Sequence, residues 1–355
     1  MPSRERQRTA TRTAAPGARE ARRDAPAAGR ARMTLRQLEA FCAVALAGSV
    51  SAGAQRLSRT QSAVSLALQE LESALGTRLF ERAGRGLRQT DAARRLLPKA
   101  IEIVERAVEL PAIAVDEATP ARHLAIGATR TIGPFLMPGL LADFARRHPG
   151  LAANLSVDLA IENTETLLAR IRDLTLVLAF IEGEVIEPGL SVQPWMNDEI
   201  CLFARADHPA PRALAAGRWV LRERGSGTRE TFLRAMQPLI GAPQVAIEVS
   251  DPLALKRLVA ASDWFGCLSR MAIAEELRDG TLRDVTPRSA ALRRALTRSF
   301  WLVAHPQRYR SATADALLAH ARGWAGAAAR APRASLRDAR TRPSPREPAR
   351  RVARH

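Results

Sequence analysis

Two sets of residues in this 355-residue chain have types and spacings suited to recognition. In the first, Gln61, Ser62, Ser65 and Gln69 lie to one side of an apolar stripe made by Val64, Leu68, Leu71 and Leu75 at helical spacing. Their side chains are short or amide-bearing, uncharged, and able to donate and accept hydrogen bonds, as base edges demand. Arg59 precedes them, and Arg82, Arg85 and Arg88 follow in a short arginine-studded segment. The second set sits on two turns. Ala128-Thr129-Arg130-Thr131-Ile132-Gly133 and Leu221-Arg222-Glu223-Arg224-Gly225-Ser226-Gly227-Thr228-Arg229 each lead from an apolar run into a helical one. Their hydroxyls, and backbone N–H groups at a positive helix end, suit a carboxylate or an inorganic oxyanion, with Arg130 or Arg222 as a source of charge. Asn163-Thr164 offers a third wall. The plainer reading of Thr131 and Thr228 is that each caps its own helix.

The elements that must hold the first set read as a winged helix-turn-helix. Thr34 to Ala47 is a helix with Leu35, Leu38, Phe41, Cys42 and Ala45 on one side, stopped by Gly48. Ser51 to Leu57 is a second, short helix, and Ser58-Arg59 joins it to a third that Thr60 caps and Gly76 ends. Two short helices with a brief turn place the second in the major groove. Arg78 to Arg82 and Leu87 to Gln89 flank Ala83-Gly84-Arg85-Gly86 as a glycine-bearing hairpin.

Met33-Thr34-Leu35, Leu38, Phe41, Val44, Gly48-Ser49, Leu57, Gln61 to Ser65, Leu71-Glu72, Leu75-Gly76, Leu79-Phe80, Arg82 and Thr90 resemble the N-terminal domain of LysR-type transcriptional regulators, without a gap from Met33 to about Leu97. Gly53 stands where the family has a helical alanine and is expected to cost its helix about 1 kcal/mol. Gln89 replaces a leucine under the wing, and Ala93 a glycine. The resemblance implies a sequence-specific regulator that binds double-stranded DNA at an interrupted palindrome and responds to a small-molecule effector. It further implies a homodimer or homotetramer, with RNA polymerase as a further candidate partner. The competing expectation is a small-molecule-binding protein whose DNA-binding domain has decayed.

Beyond the wing, Asp91 to about Leu110 reads as a long helix with Leu97, Ile101, Val104 and Val108 spaced as a coiled-coil seam. Pro98 predicts a kink that separates its first turns, and 111–122 a hinge. From His123, strands alternate with helices, which argues for an α/β fold with largely parallel sheets. The pattern resembles the family's periplasmic-binding-protein-like effector region, two subdomains about a cleft. The organisation read here is a disordered basic extension over 1–32, the winged helix-turn-helix over 33–90, and linker helix and hinge over 91–121. The effector domain spans 122–324, with subdomain I as 122–183 and 287–324 and subdomain II as 184–286; a disordered basic tail covers 325–355. A closing helix is expected from Thr313 to Trp324. In the second subdomain Ser262-Asp263-Trp264 replaces a Gly-x-Gly of the family, and Trp264 is expected to narrow the cleft or repack its edge.

Composition sets the outer limits. Nine arginines stand against three acids over residues 1–32 and nine against two over 325–355, so most of the net charge of +18 lies at the two ends. Both ends are too poor in large apolar side chains to order themselves. Solvated tails are the plainer reading, non-specific DNA-binding arms the sharper one. Met33, where the motif opens, is a candidate true start. No secretory apolar core and no run of 18 apolar residues occurs, so a cytoplasmic protein without a membrane partner is expected. Cys42, Cys201 and Cys267 share no metal-type spacing and read as buried free thiols, the alternative being a redox-sensing pair. The histidines are scattered, and no metal or cofactor is indicated. Gly225-Ser226-Gly227-Thr228 lacks the lysine of a nucleotide loop, no G-x-S-x-G elbow is present, and an enzyme is not expected.

Overall fold

The computed structural model describes residues 33–83, 86–114, 122–183, 185, 187–210 and 214–330. Both basic extensions up to residue 32 and beyond residue 330 lie outside that range, as does Arg85.

Three helices and a hairpin form the first domain: α1 (Leu35–Ala47), α2 (Val50–Arg56), α3 (Gln61–Leu75), β1 (Phe80–Ala83) and β2 (Gly86–Gln89). Each start is built locally. Thr34 and Gln37 form a reciprocal capping box on α1, Ser49 accepts from Ala52 N, and Thr60 accepts from Ala63 N. Leu38, Phe41, Val44, Val64, Leu68 and Leu71 make one buried core, and Phe41 is fully enclosed. Two departures noted in the sequence are built into this packing. A Cβ on Gly53 would lie 2.7 Å from Val44 Cγ2 and 3.0 Å from the Val44 backbone, so glycine lets α2 seat on α1. Gln89 Nε2 donates to Ala45 O at 2.9 Å and ties the hairpin to α1.

The linker, α4 (Asp91–Ala114), is one unbroken helix, capped by Thr90. Pro98 does not separate its first turns, and the helix runs four residues into the stretch read as a hinge. The expected seam also divides. Leu97 and Ile101 are buried in the winged-helix core and Val104 packs against it, whereas Ile103, Val108 and Leu110 are exposed.

The remainder is a mixed α/β body: β3 (Arg122–Thr129), α5 (Ile132–Phe135), α6 (Met137–Arg147), α7 (Pro149–Ala152), β4 (Leu155–Glu162), α8 (Thr164–Arg172), β5 (Leu178–Glu182), β6 (Ser191–Arg205), β7 (Arg218–Arg222), α9 (Gly227–Ile240), β8 (Gln244–Val249), α10 (Pro252–Ala260), β9 (Phe265–Ser269), α11 (Ala274–Asp279), β10 (Leu282–Asp284), α12 (Ala290–Leu296), β11 (Thr297–Ala304) and α13 (Ala312–Arg330). The strand order is β4-β3-β5-β11-β6-β9-β7-β8, with β10 beside β6. Parallel pairing is confined to the two flanks, β4-β3-β5 and β9-β7-β8; the middle, through β11 and β6, is antiparallel. The sheets are therefore mixed rather than largely parallel.

The reason is strand β6, which is long enough to serve both subdomains and whose continuous apolar run begins only at Ile200. Its first half pairs with β11 beside β5, and its second half pairs with β9. The chain passes between subdomains near Glu199 and Thr297, register partners at the junction. Strand pairing thus gives 191–199 to the first subdomain. Leu292 and Leu296 of α12 pack with Trp219 and Phe232 in the second, so 290–296 belong there. Each subdomain has helices on both sheet faces. The closing helix runs to Arg330, six residues into the stretch read as a tail.

Candidate DNA interface and effector cleft

On α3, Gln61, Ser62 and Gln69 are exposed and Ser65 is half-buried, while Val64, Leu68 and Leu71 anchor the opposite side. Ser62 Oγ lies 3.2 Å from Thr60 Oγ1. Glu72 fixes the wing to this helix by accepting from Leu79 N at 2.7 Å and Phe80 N at 3.2 Å. Arg82 is exposed on the hairpin, Arg88 is paired with Glu81 at 2.7 Å, and Arg59 lies 3.6 Å from Glu39. Leu66 lies exposed beside these residues and was not among those singled out from the sequence. It is 57% exposed on the polar side of α3, and an apolar group is the type of side chain that can pack on a thymine methyl. The signal was a leucine outside the apolar stripe.

The second set of residues converges from both subdomains. Thr129 ends β3, and Arg130 and Thr131 lead into α5; Arg222 ends β7, and Ser226 starts α9. Glu223 joins the two turns: Arg222 Nε and Nη2 donate to its carboxylate at 2.8 and 2.9 Å, and Arg130 Nε lies 3.8 Å away. Arg130 also donates to Glu162 at 3.2 Å. Asn163 Nδ2 reaches Arg224 O at 3.5 Å, and Gly225 has φ +77° with its α-carbon against Glu165 and Asn163. The positive φ favours glycine, and a side chain there would come 3.1 Å from Glu165 Cβ and displace the Glu165 carboxylate. The cleft is closed along this line.

Four buried polar atoms in this seam have no hydrogen-bond partner: Thr129 Oγ1, Ser226 Oγ and Arg222 Nη1, on residues each 1% exposed, and Arg130 Nε. Neither hydroxyl expected to cap its own helix does so. Thr131 is buried without capping α5, and the cap of α9 is Ser226, whose side chain makes no capping bond. Thr228 is committed elsewhere. Its hydroxyl donates to Glu182 Oε1 at 3.1 Å and accepts from Arg298 Nη1 at 2.9 Å, which leaves little for a ligand. Thr164 likewise donates to Glu182 O at 3.0 Å.

Beneath the seam lies an ionic cluster that no local sequence signal marked. Arg298 on β11 meets Glu182 at 3.0 Å and Asp198 at 2.8 Å, and Ser269 donates to Asp198 at 2.6 Å. The three charged side chains are 2–3% exposed. Burial pushes the Asp198 carboxyl above the usual range, against the opposing pull of Arg298. The cluster occupies the crossover strands, where the subdomains join.

The three cysteines are free and buried, and burial raises each thiol to about 12, which leaves the reactive thiolate unpopulated. Trp264 sits away from the seam. It packs beside α10 and under Arg218, at the opposite end of β7 from Arg222, so it does not narrow the cleft. Among the described residues no His, Cys, Asp or Glu group could hold a metal, and no single helix is long and apolar enough to cross a membrane.

Comparison with known proteins places both halves. Residues 35–94 match the model of the bacterial regulatory helix-turn-helix protein, lysR family, and residues 117–326 match the LysR substrate binding domain. An uncharacterized HTH-type transcriptional regulator of Escherichia coli K12, YeiE, is 34% identical over 285 residues, 79% of this chain and 94% of the relative. A probable RuBisCO transcriptional regulator of Cyanidioschyzon merolae is 30% identical over 292 residues, 79% of this chain and 95% of the relative. The crystal structure of ArgP from Mycobacterium tuberculosis shares the fold with a TM-score of 0.63 at 19% identity, covering 81% of this chain and 96% of that one. With an intact winged helix-turn-helix in front of an effector domain of matching type, the chain belongs to the LysR family of transcriptional regulators and is not an enzyme.

Proposed function

We propose that the protein recognises an interrupted palindrome in duplex DNA through Gln61, Ser62, Ser65 and Gln69, and that a small anion held in the effector cleft tunes this binding. One observation carries the effector reading: Thr129 Oγ1, Ser226 Oγ and Arg222 Nη1 are buried without partners in a seam between two subdomains. Leaving a buried donor unsatisfied costs about 1–3 kcal/mol, so three together call for a ligand with several acceptors. A carboxylate or inorganic oxyanion fits, because all three groups can donate and the α9 N-terminus adds its positive end. Arg130 contributes charge from the other wall, and Glu223, now paired with Arg222, is the acid such an anion competes with. Thr131 stays in the site as a neighbour of this turn; Thr164 and Thr228 shape it through Glu182.

A ligand touching both walls favours the closed arrangement, and that difference in affinity is what biases the DNA-binding state. A two-fold assembly through α4 implies half-sites about one helical turn apart or a multiple of it. Ile103 and Leu110, exposed and seven residues apart, are the seam residues of this assembly, in place of the buried Leu97 and Ile101.

The test is a thermal-shift screen of carboxylates and inorganic oxyanions against wild type and Ser226→Ala. The expected result is at least one anion that stabilises wild type, with affinity lowered by roughly two- to tenfold in the variant, matching about 0.5–1.5 kcal/mol for one neutral hydrogen bond. No stabilising anion, or identical responses from the two proteins, overturns the site.

A further inference from the structure

One face of the effector domain is docked on the winged-helix domain of its own chain, and the contact is built from residues that the effector reading does not use. Leu174, in the turn after α8, has φ +60°, a left-handed conformation that leucine holds only where packing over-determines it. Its side chain is 5% exposed, and the core it joins is that of the winged helix and α4, not that of its own subdomain. Beside it, Arg308 donates Nε to Leu174 O at 3.2 Å and sends both terminal nitrogens to the Glu105 carboxylate on α4, at 2.6 and 2.7 Å. One turn further along α4, Glu109 accepts from Tyr309 OH at 2.9 Å, and Arg106 lies 4.9 Å from the Tyr309 ring. An apolar peg and a bidentate clamp thus hold the two domains together.

The other ends of the elements that carry the peg and the clamp reach the cleft. Asn163 caps α8 and contacts Arg224 across the seam, and Glu165 lies against Gly225. Nine helical residues, about 14 Å at 1.5 Å each, separate that end from the turn holding Leu174. Strand β11 runs alongside, with Arg298 in the buried ionic cluster at its start and Arg308 just past its end. A shift at the cleft that moves α8 or β11 as a rigid piece moves the peg or the clamp with it. The joint is also incompletely filled. A solvent-open groove of about 380 Å³ runs beside the peg, between Val44, Phe80 and Leu97 on one side and Arg172, Leu174 and His305 on the other. Water already reaches into the joint along this groove, so separation here forfeits less contact than opening a close-packed core would.

We infer that Leu174 and the Arg308–Glu105 pair form a releasable docking joint between the effector domain and its own linker helix, through which α8 and β11 pass the state of the cleft to the DNA-reading helix. The inference goes beyond the anion reading and needs no anion to test, because coupling between two sites is reciprocal. If the cleft acts on DNA binding, DNA binding acts on the cleft.

The experiment is amide hydrogen exchange on the full chain, free and bound to a duplex selected from a random-sequence pool. In wild type, duplex binding is expected to change exchange in peptides covering 163–172 and 222–231 by about fivefold or more. Glu105→Arg opposes Arg308 from an accessible position on α4; it should keep duplex protection of α3 and lose the response at the cleft. Adding Arg308→Glu restores the pair with its charges exchanged and should restore the response. Leu174→Gly, which relaxes the strained backbone and removes the peg, should also lose it, which keeps the test decisive where the exchanged pair folds poorly. A cleft that responds alike in wild type and Glu105→Arg, or that does not respond in wild type, overturns the joint. Failure of the anion screen leaves this result untouched, so the two readings fail separately.

Discussion

Replacing Arg298 with methionine removes the cation that Glu182 and Asp198 share while keeping most of its bulk. Both carboxylates are 2–3% exposed, so water cannot take over its role. Deleting one partner of a buried ion pair costs about 3–5 kcal/mol, mostly as the penalty of the charge left behind. For a domain of this size each kcal/mol shifts the midpoint by about 2–4 °C, so the effector-domain transition is expected to fall by roughly 10 °C at pH 8. The pH dependence carries a sign. Burial already holds Asp198 above the usual carboxylate range, and losing Arg298 raises it further. The folded form then keeps a proton that the unfolded chain has released, so the deficit is largest at high pH. It narrows as the pH falls through the raised value toward the normal one. Calorimetry or circular dichroism from pH 8 to pH 5 reads this directly, and Asp198→Asn in the same background should recover part of the loss. A midpoint that moves by less than about 2 °C, or a deficit independent of pH, refutes the assignment of these charges as one buried unit.

Three further outcomes follow from particular contacts. Gly53→Ala should destabilise α1 and α2 even though alanine is the better helix former by about 1 kcal/mol, because its Cβ would press on the Val44 backbone and overpacking costs about 1–3 kcal/mol; faster exchange of those amides is the readout, and slower exchange would contradict it. Ser65→Ala should weaken specific binding by about 1–3 kcal/mol and leave random DNA nearly unaffected, and an unchanged preference in a competition assay would remove Ser65 from the base-reading set. Ile103→Glu should yield a folded species of lower mass by sedimentation, whereas Ile101→Glu should unfold the winged domain, since Ile103 is 49% exposed and Ile101 only 3%. A fully assembled Ile103→Glu protein would mean that α4 is not the interface.

What the sequence revealed was local. The cap at Thr60, the stops at Gly48 and Gly76, and the helical stripe through Val64 and Leu71 depend on neighbours a few residues away. The turns at Thr129 and Ser226 were visible for the same reason, as hydroxyls and glycine between an apolar run and a helix. What stayed hidden was set by distant partners. The polar first half of β6, with Pro194, Asn197 and Asp198, does not read as a strand; its place follows from β11, about a hundred residues later. Pro98 does not break α4 because the turns around it, from Ala93 to Ile101, are packed in the winged core. Gly53 looked like a defect until Val44 was seen beneath it. Thr228 looked like a ligand or a cap, and Arg298 and Glu182 turned it to a structural use.

In the proposed function, an anion in the Thr129–Arg222–Ser226 seam controls specific DNA binding. Fluorescence anisotropy of a pool-selected duplex and a scrambled one, titrated with wild type and Ser226→Ala at one fixed salt concentration, tests both halves together. In wild type the selected duplex should bind at least about a thousandfold more tightly, and an anion found to stabilise the protein should change that affinity by about fivefold or more. In Ser226→Ala the preference for the selected duplex should persist while the response to that anion, at the concentration that saturates wild type, shrinks. Equal affinity for the two duplexes, or an identical anion response in both proteins, would contradict the account.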